Sequence, residues 1–434
     1  MSSGESTQGA DRCLSPRIEA VRERSSAGDA NAVSDLWAEV ERDGGPLIEP
    51  DVATPAHSLV TLLWRGDEET KNVFTFGTHT NAVGSFLPLR QLPGTDVWYR
   101  TDRYRNDFRS TYMLYPNVHL VDGEDVREQI SSNVPWQDWR PDPLNPRVFG
   151  KKPGPLMSVV ELPEAPAQSW SDERSGVARG EIHPHRYDSE VLGNTRVLWV
   201  YTPSGYSEGN EPPDLLIVFD GWSYMYLVPV PTILDNLCAD GLVRPTVAVL
   251  VESTDQAGRM LELNCNEQFA GMLVDELIPW LRDRYTFTTD PLRTTVAGSS
   301  AGGIGAAYLA MAHPDIVGNV LSQSGAFFYD PGAATPYRLD DTSIDWNWLI
   351  NQYAARPKLP ISFYLEAGEF ETAARPGRDM DILEANRTMR DALLEKGYPV
   401  HYSEYCGGHE YMCWRGSFAD GLIALAERNE ERSG

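Results

Sequence analysis

Eleven residues constrain this chain more than any others. Arg293–Gly303 read R-T-T-V-A-G-S-S-A-G-G. A β-branched run leads into Gly298-Ser299-Ser300-Ala301-Gly302, a G-x-S-x-G pattern, and a helical run follows. A serine on so sharp a strand-to-helix turn needs small residues on both sides. The turn lifts the Ser300 hydroxyl above the start of the helix. The Ala301 N–H then faces any oxyanion that develops there.

The flanking texture agrees with a strand–turn–helix unit. After residue 181, apolar runs alternate with helical stretches. Strands are expected at Val197–Thr202, Leu215–Phe219, Val247–Val251, Thr294–Ala297, Val320–Ser322, Ser362–Leu365 and His401–Tyr405. Helices are expected at about 265–286, 302–312, 379–396 and 415–428. Such alternation predicts a mostly parallel sheet covered by helices. The first third differs. Residues 16–43 look helical and stop at Gly44-Gly45-Pro46. Short Val/Phe/Thr/Tyr runs follow at Ser58–Arg65, Asn72–Gly77, Val97–Tyr104 and Ser110–Tyr115, separated by turn residues. That spacing predicts an antiparallel β-sandwich. The expected organisation is an N-terminal arm over 1–30, an all-β domain over 31–162, a linker over 163–182 and an α/β domain over 183–434.

Charge narrows the function classes. Thirty-seven basic and 63 acidic side chains leave a net charge of −26. The excess of acid is concentrated after residue 180. That sum argues against a nucleic-acid partner and against an anionic membrane surface. No run approaches the roughly 20 apolar residues of a spanning helix. Met1–Asp11 lacks the basic and apolar regions of a signal peptide. Five scattered cysteines offer no disulfide framework and fit a reducing cytoplasm. Neither H-E-x-x-H nor a Cys/His cluster is present, so no metal or other cofactor is expected.

A serine nucleophile needs a base. Of eight histidines, His409 is the candidate, because it follows Gly407-Gly408 after the last expected strand. His57, His79, His119, His183, His185, His313 and His401 fit strands, turns or a helix end better. The third member is a carboxylate between Ser300 and His409. Glu366, Glu369 and Glu371 all qualify, and Glu371 lies farthest out on the loop. A second oxyanion donor is expected after Leu215–Phe219, from the N–H of Gly221 or Trp222.

Taken together, these segments resemble the enterochelin (enterobactin) esterase family. The resemblance rests on F-D-G-W at Phe219–Trp222, R-x-x-E-L-x-C-N at Arg259–Asn266 and V-A-G-S-S-A-G-G around Ser300. It continues through V-L-S-Q-S-G at Val320–Gly325, L-E-A-G at Leu365–Gly368 and G-G-H-E-x-x-C-W-R-G at Gly407–Gly416. In the front domain it includes W-R-G-D-E at Trp64–Glu68, G-T-D-V-W at Gly94–Trp98, R-S-T-Y at Arg109–Tyr112 and D-P-L-N-P at Asp142–Pro146.

The resemblance implies an immunoglobulin-like β-sandwich followed by an α/β-hydrolase domain. It implies a cytoplasmic serine esterase that opens the trilactone of a catecholate siderophore or its ferric complex. The family's nucleophile falls on Ser300, its histidine on His409, and its acid most naturally on Glu371. A ferric triscatecholate is a trianion, so an acidic protein needs local cations and flat aromatic faces to hold it. Arg259 and Arg415 are the expected cations, Trp222 and Trp414 the expected stacking faces, and Asn266 a substrate or loop contact. Arg259 alternatively pairs with Glu262. Two other readings stay open: an esterase for another macrolactone or aryl ester, and a binding module on an inactive hydrolase fold.

Overall fold

The computed structural model describes residues 15–77, 86–119, 140–206, 211–329, 345–372 and 381–433. The chain divides into two compact units at Ala165–Pro166.

The front unit opens with helices α1 (Pro16–Ser26) and α2 (Ala32–Asp43). Ser15 caps α1 by accepting the Ile18 N–H, and Pro16 starts the first turn without losing a hydrogen bond. The helical span expected over 16–43 is therefore made of two helices. Nor are residues 16–30 an arm: Ile18, Val21, Leu36, Trp37 and Val40 pack on Leu63, Val97 and Tyr99. This helical cover means that the unit is not all-β. Residues 1–14 lie outside the described part, and so does His79.

Its strands are β1 (Leu47–Pro50), β2 (His57–Arg65), β3 (Val73–Gly77), β4 (Phe86–Pro88), β5 (Arg90–Gln91), β6 (Val97–Arg105), β7 (Arg109–Pro116), β8 (Val148–Gly150) and β9 (Leu156–Glu161). They form two antiparallel sheets, β1-β2-β6-β5 and β4-β3-β7-β9-β8. Motif residues of this unit are held by hydrogen bonds within it. The Trp37 indole donates to Asp96, and the Tyr112 hydroxyl donates to the buried Asp142 carboxylate at 2.6 Å. Asn145 closes that buried set by donating to the Tyr112 oxygen and the Val159 carbonyl.

The second unit holds β10 (Glu181–Ser189), β11 (Asn194–Thr202), β12 (Asp214–Phe219), β13 (Thr246–Val251), β14 (Thr294–Ser299), β15 (Asn319–Gln323), β16 (Ser362–Gly368) and β17 (Val400–Tyr405). The order is β10-β11-β13-β12-β14-β15-β16-β17. From β13 to β17 all pairings are parallel; β10 and β11 are antiparallel. The α/β class expected from the alternation is observed. Residues 166–180 are no free linker. Gln168 donates to the Met412 carbonyl and Ser171 to the Arg415 carbonyl, and β10 begins at Glu181.

Around the sheet lie α3 (Gly221–Tyr226), α4 (Val230–Ala239), α5 (Gln256–Leu263), α6 (Glu267–Gly271), α7 (Ile278–Arg282), α8 (Ala301–Ala312), α9 (Trp348–Ala355), α10 (Ile382–Glu395) and α11 (Tyr411–Ser433). The helix expected over 265–286 is broken, because a π-helical stretch, Met272–Leu277, joins α6 to α7. Within it, the Glu276 carboxylate accepts from Ser189 Oγ and the Glu190 and Val191 N–H groups, which holds the β10–β11 turn.

Strand periodicity explains the two-sided core. Leu215, Ile217, Val249, Val296, Val320 and Phe363 face α8, α9 and α10, while Leu216, Val218, Leu250, Ala297, Leu321 and Tyr364 face α3, α4 and α11. Each fully buried aliphatic side chain contributes about 1.5–3 kcal/mol. The chain order reverses at β12, whose neighbours are β13 and β14. In open parallel sheets the crevice outside the carboxyl ends at such a reversal is where ligands bind. Here those ends are Asp220-Gly221 and Ser299-Ser300.

Candidate active site

Ser300 sits between β14 and α8 with φ 57° and ψ −118°. A non-glycine residue held at positive φ costs roughly 1–2 kcal/mol, which its surroundings must offset. The Ser300 N–H donates to the Gln323 carbonyl, and its own carbonyl accepts from Gly303 and Ala326. Gly298 shows why the pattern needs glycine: a Cβ there would lie 2.7 Å from the Gly302 carbonyl carbon. Ala301 is the first residue of α8, where a helix leaves its N–H groups without intrahelical acceptors and carries partial positive charge.

His409 follows β17. Its Nδ1 lies 3.0 Å from Glu371 Oε1, and the Glu371 side chain is fully buried. The other Glu371 oxygen accepts the Gly368 N–H at 3.1 Å. Backbone pairing brings the two loops together. Beyond the strands, the Glu369 N–H donates to the Tyr405 carbonyl and the Phe370 N–H to the Gly407 carbonyl. This extension of the β16–β17 ladder carries Glu371 under the imidazole.

A buried polar group supports that pair. The Tyr405 hydroxyl lies 3.1 Å from the Gly408 carbonyl oxygen and 3.4 Å from Glu371 Oε1. The Trp414 indole N–H points at Ser324 Oγ and Tyr405 Oη, 3.0 Å from each. Burial, and then the Glu371 charge, push the Tyr405 phenol well above its ordinary pKa, so it stays a neutral donor. Ser324 lies inside a motif quoted above and Tyr405 ends the last expected strand, yet neither is legible as support, because no spacing reveals which side chain backs a loop carboxylate.

Among the three glutamates the structure discriminates. Glu366 is still in β16 and points to the α11 side, where it accepts from Gln323 Nε2, Ser417 Oγ and the Tyr364 hydroxyl. Glu369 is half-buried and pairs with β17 through its backbone.

Several expected contacts turn out otherwise. The Trp222 N–H donates to the Glu252 carboxylate, so of the expected pair only Gly221, the first residue of α3, stays a candidate. Trp414 is 3% exposed, with its ring edge-on to His409 at 4.9 Å between centroids. It packs against the histidine and offers no open face. Arg259 does not pair with Glu262, which belongs to Arg196. Its guanidinium forks onto Asp220, with Nε to Oδ1 at 2.5 Å and Nη2 to Oδ2 at 2.6 Å. Arg415 pairs with Asp172. Asn266 is the N-cap of α6, accepting the Phe269 N–H, and donates to the Leu261 carbonyl. Trp222 remains half-buried and leads, through Tyr226 at 5.6 Å, to Trp199 at 6.3 Å.

Among the described residues no group of three or more His, Cys, Asp or Glu side chains is placed to hold a metal ion. Among them, too, no helix is long and apolar enough to cross a membrane. A serine on a strained turn, an imidazole oriented by a buried carboxylate and two helix-start N–H groups are the parts that acyl transfer requires.

Comparison with known proteins agrees with this inventory. The Esterase family model matches residues 189–425, and the model named "Enterochelin esterase, N-terminal" matches residues 59–171. The iron(III) enterobactin esterase of Dickeya dadantii is 31% identical over 412 residues, covering 89% of this chain and 91% of that protein. The crystal structure of the Shigella flexneri enterobactin esterase in the presence of enterobactin superposes with a TM-score of 0.72 at 26% identity, covering 91% of this chain and 98% of that one. The ferric enterobactin esterase structure from Salmonella typhimurium gives a TM-score of 0.73 at 27% identity, covering 90% and 99%. The chain therefore belongs to the enterobactin (enterochelin) esterase family and is a carboxylic ester hydrolase.

Proposed function

We propose that this esterase hydrolyses the serine-ester bonds of a catecholate siderophore trilactone, with Ser300, His409 and Glu371 as its catalytic triad. The observation that carries the triad is the pairing of His409 Nδ1 with the buried Glu371 carboxylate on the two zipped loops. The substrate class is supported by the enterobactin named for the relatives above.

In this reading His409 Nε2 takes the Ser300 proton as Oγ attacks the ester carbonyl. The carbonyl oxygen gains negative charge and meets the N–H groups of Ala301 and Gly221. Collapse of the adduct breaks the ester C–O bond, and His409 returns the proton to the leaving seryl hydroxyl. An acyl-enzyme remains. His409 then takes a proton from water, whose oxygen attacks the acyl carbon, and Ser300 Oγ leaves with that proton. Glu371 fixes the imidazole tautomer and stabilises the imidazolium. Opening the ring weakens iron chelation, which suits intracellular iron release in the cytoplasm. The iron is cargo, and the chemistry uses no cofactor. Half-buried Trp222, continued by Tyr226 and Trp199, is the candidate stacking surface for catechol rings.

The finer architecture belongs to the same reading: an immunoglobulin-like sandwich, bearing two helices, ahead of the α/β-hydrolase domain. Its support is that β2 and β7 are buried on both faces. With α1 and α2 covering one face of β2, a second sheet accounts for the other.

Mass spectrometry of a panel of ferric trilactone, iron-free trilactone and p-nitrophenyl butyrate tests the substrate. Linear catecholoyl-serine fragments are expected from a trilactone. Cleavage of the aryl ester alone overturns the siderophore reading. A fluorophosphonate that labels wild type and S300A equally overturns the triad.

A further inference from the structure

Gln323 lies in the V-L-S-Q-S-G motif, and the acyl-transfer steps leave its side chain without a task. It ends β15, between the ends of β14 and β16, and is fully buried. A primary amide in a core is costly unless its donors and its acceptor are matched. Here they are. Oε1 accepts the Tyr224 hydroxyl at 2.9 Å. Nε2 lies 2.8 Å from Glu366 Oε1, 3.0 Å from the Trp414 carbonyl oxygen and 3.0 Å from Ser417 Oγ.

Those partners belong to the elements that carry the proposed reaction. Tyr224 is in α3, which starts at Gly221, the candidate oxyanion donor. Trp414 is in α11, and its ring packs edge-on against His409. Glu366 is in β16, whose end leads to Glu371. The backbone of Gln323 reaches a fourth element, because its carbonyl accepts the Ser300 N–H at 3.0 Å. One buried residue therefore touches the nucleophile turn, the helix of the oxyanion donor and the helix against the histidine.

Few side chains fit the place. Gln323 stands level with Glu366 in the β15–β16 register, and strand parity turns both to the side of Leu321 and Tyr364, toward α3 and α11. An aliphatic residue there would fill the space but take the acceptor from the Tyr224 hydroxyl and the donor from the Trp414 carbonyl. A carboxylate would keep the first and lose the second, and would set a like charge beside Glu366. An amide has a donor and an acceptor at one end, so it ties α3 and α11 at once.

We propose that Gln323 is a positioning residue: its buried amide ties α3 and α11 to the strand end that holds Ser300, and so keeps the nucleophile, the Gly221 N–H and His409 in register. This rests on the triad reading and adds to it a residue that meets no substrate. A group that binds substrate acts on KM. A tie beneath the site acts on kcat, because a small misplacement of reacting groups slows the chemical step.

The test uses the full chain with p-nitrophenyl butyrate and reads kcat and KM separately. Q323M keeps the length and volume but has no N–H donor, and is expected to lower kcat about 30-fold with KM within about threefold. Q323E keeps the acceptor for Tyr224 and loses the donors, so a loss of about tenfold is expected. Y224F removes the tie to α3 alone and should cost about fivefold. Q323M/Y224F should be within about twofold of Q323M, because the hydroxyl has already lost its partner. Thermal melting with circular dichroism reports whether each variant is folded, and Q323E and Y224F carry the test if Q323M is not. Folded variants with wild-type kcat overturn the proposal. So does a KM rise with kcat intact, which would place the amide against substrate. Losses that multiply in the double variant overturn it as well, since the two side chains would then act apart. S300A separates the layers: if it turns over like wild type, the triad reading fails, and if it is inactive beside a Q323M of wild-type kcat, the tie alone fails. If wild type does not turn over this ester, the rate of fluorophosphonate labelling of Ser300 replaces kcat, with the same ranking expected.

Discussion

Glu366 and Glu371 lie five residues apart at the end of β16, and each is 1% exposed. Their surroundings are opposite. Glu366 faces α11 and meets neutral donors: an amide, a serine hydroxyl and a phenol. Burial raises its pKa to about 7. Glu371 lies beyond the strand and meets an imidazole and a backbone N–H. In a strand, parity decides the face, so Glu366 has no route to the histidine side. On the loop, backbone pairing with Gly407 decides the aim. The same side chain is thus a protonatable core group in one place and the hydrogen-bond partner of an imidazole in the other.

The sharpest way to break this contrast is a matched pair of amides. Glu371→Gln should lower kcat by about 10³–10⁴-fold, because it disfavours the productive tautomer. Glu366→Gln should stay within about threefold of wild type in the same p-nitrophenyl butyrate assay. Interchanged effects would move the acid to the strand.

Stability comes next. Folding raises the Glu366 pKa from its ordinary 4.5 to about 7. Its contribution is therefore complete below about pH 4.5 and is lost as pH rises through about 7. Denaturant titrations should show this side chain costing wild type up to ~3 kcal/mol between pH 5 and 8. Glu366→Gln should flatten that fall. An unchanged slope in the variant would mean that Glu366 is already ionised in the fold.

Smaller effects sharpen the picture around Glu371. Tyr405→Phe removes a hydroxyl from the buried support, so kcat should drop about tenfold with KM little changed. A KM effect instead would mean that the phenol meets substrate. Smallest of all, Asn266→Ala should cost about 1 kcal/mol in a thermal melt, the ordinary loss of a helix N-cap. A melting point equal to wild type would remove the capping role.

Much of the site is legible in the sequence where chemistry and local backbone coincide. Gly298, Ser300 and Gly302 announce a turn that few residue types can make. His409 is found by its place after the last strand. The acid is not legible, because three glutamates within six residues satisfy the same order rule. Arg259, Trp414 and Arg415 show why motif membership does not tell role. Each lies in a quoted motif, and each is committed to a partner that is distant in sequence. The Trp222 N–H is a further case, since Glu252 takes it from thirty residues away. In the front unit, the helical character of 16–43 is legible. Its break at 27–31 and its burial against β2 and β6 are not, because both depend on the sheet that receives it.

By itself the sequence determined a parallel, helix-covered sheet, a nucleophile turn at Ser300 and a late histidine at 409. These follow from period, small residues and chain order, which are local properties. Only the tertiary structure decided which glutamate meets that histidine, which N–H groups remain to meet an oxyanion, and that Arg259 is held by Asp220. Those outcomes depend on which strand ends become neighbours, and β12 and β14 become neighbours across seventy-four residues of intervening chain. A charge or a hydrogen-bond donor is worth what its nearest partner leaves unspent, and the partner is a fact of the fold.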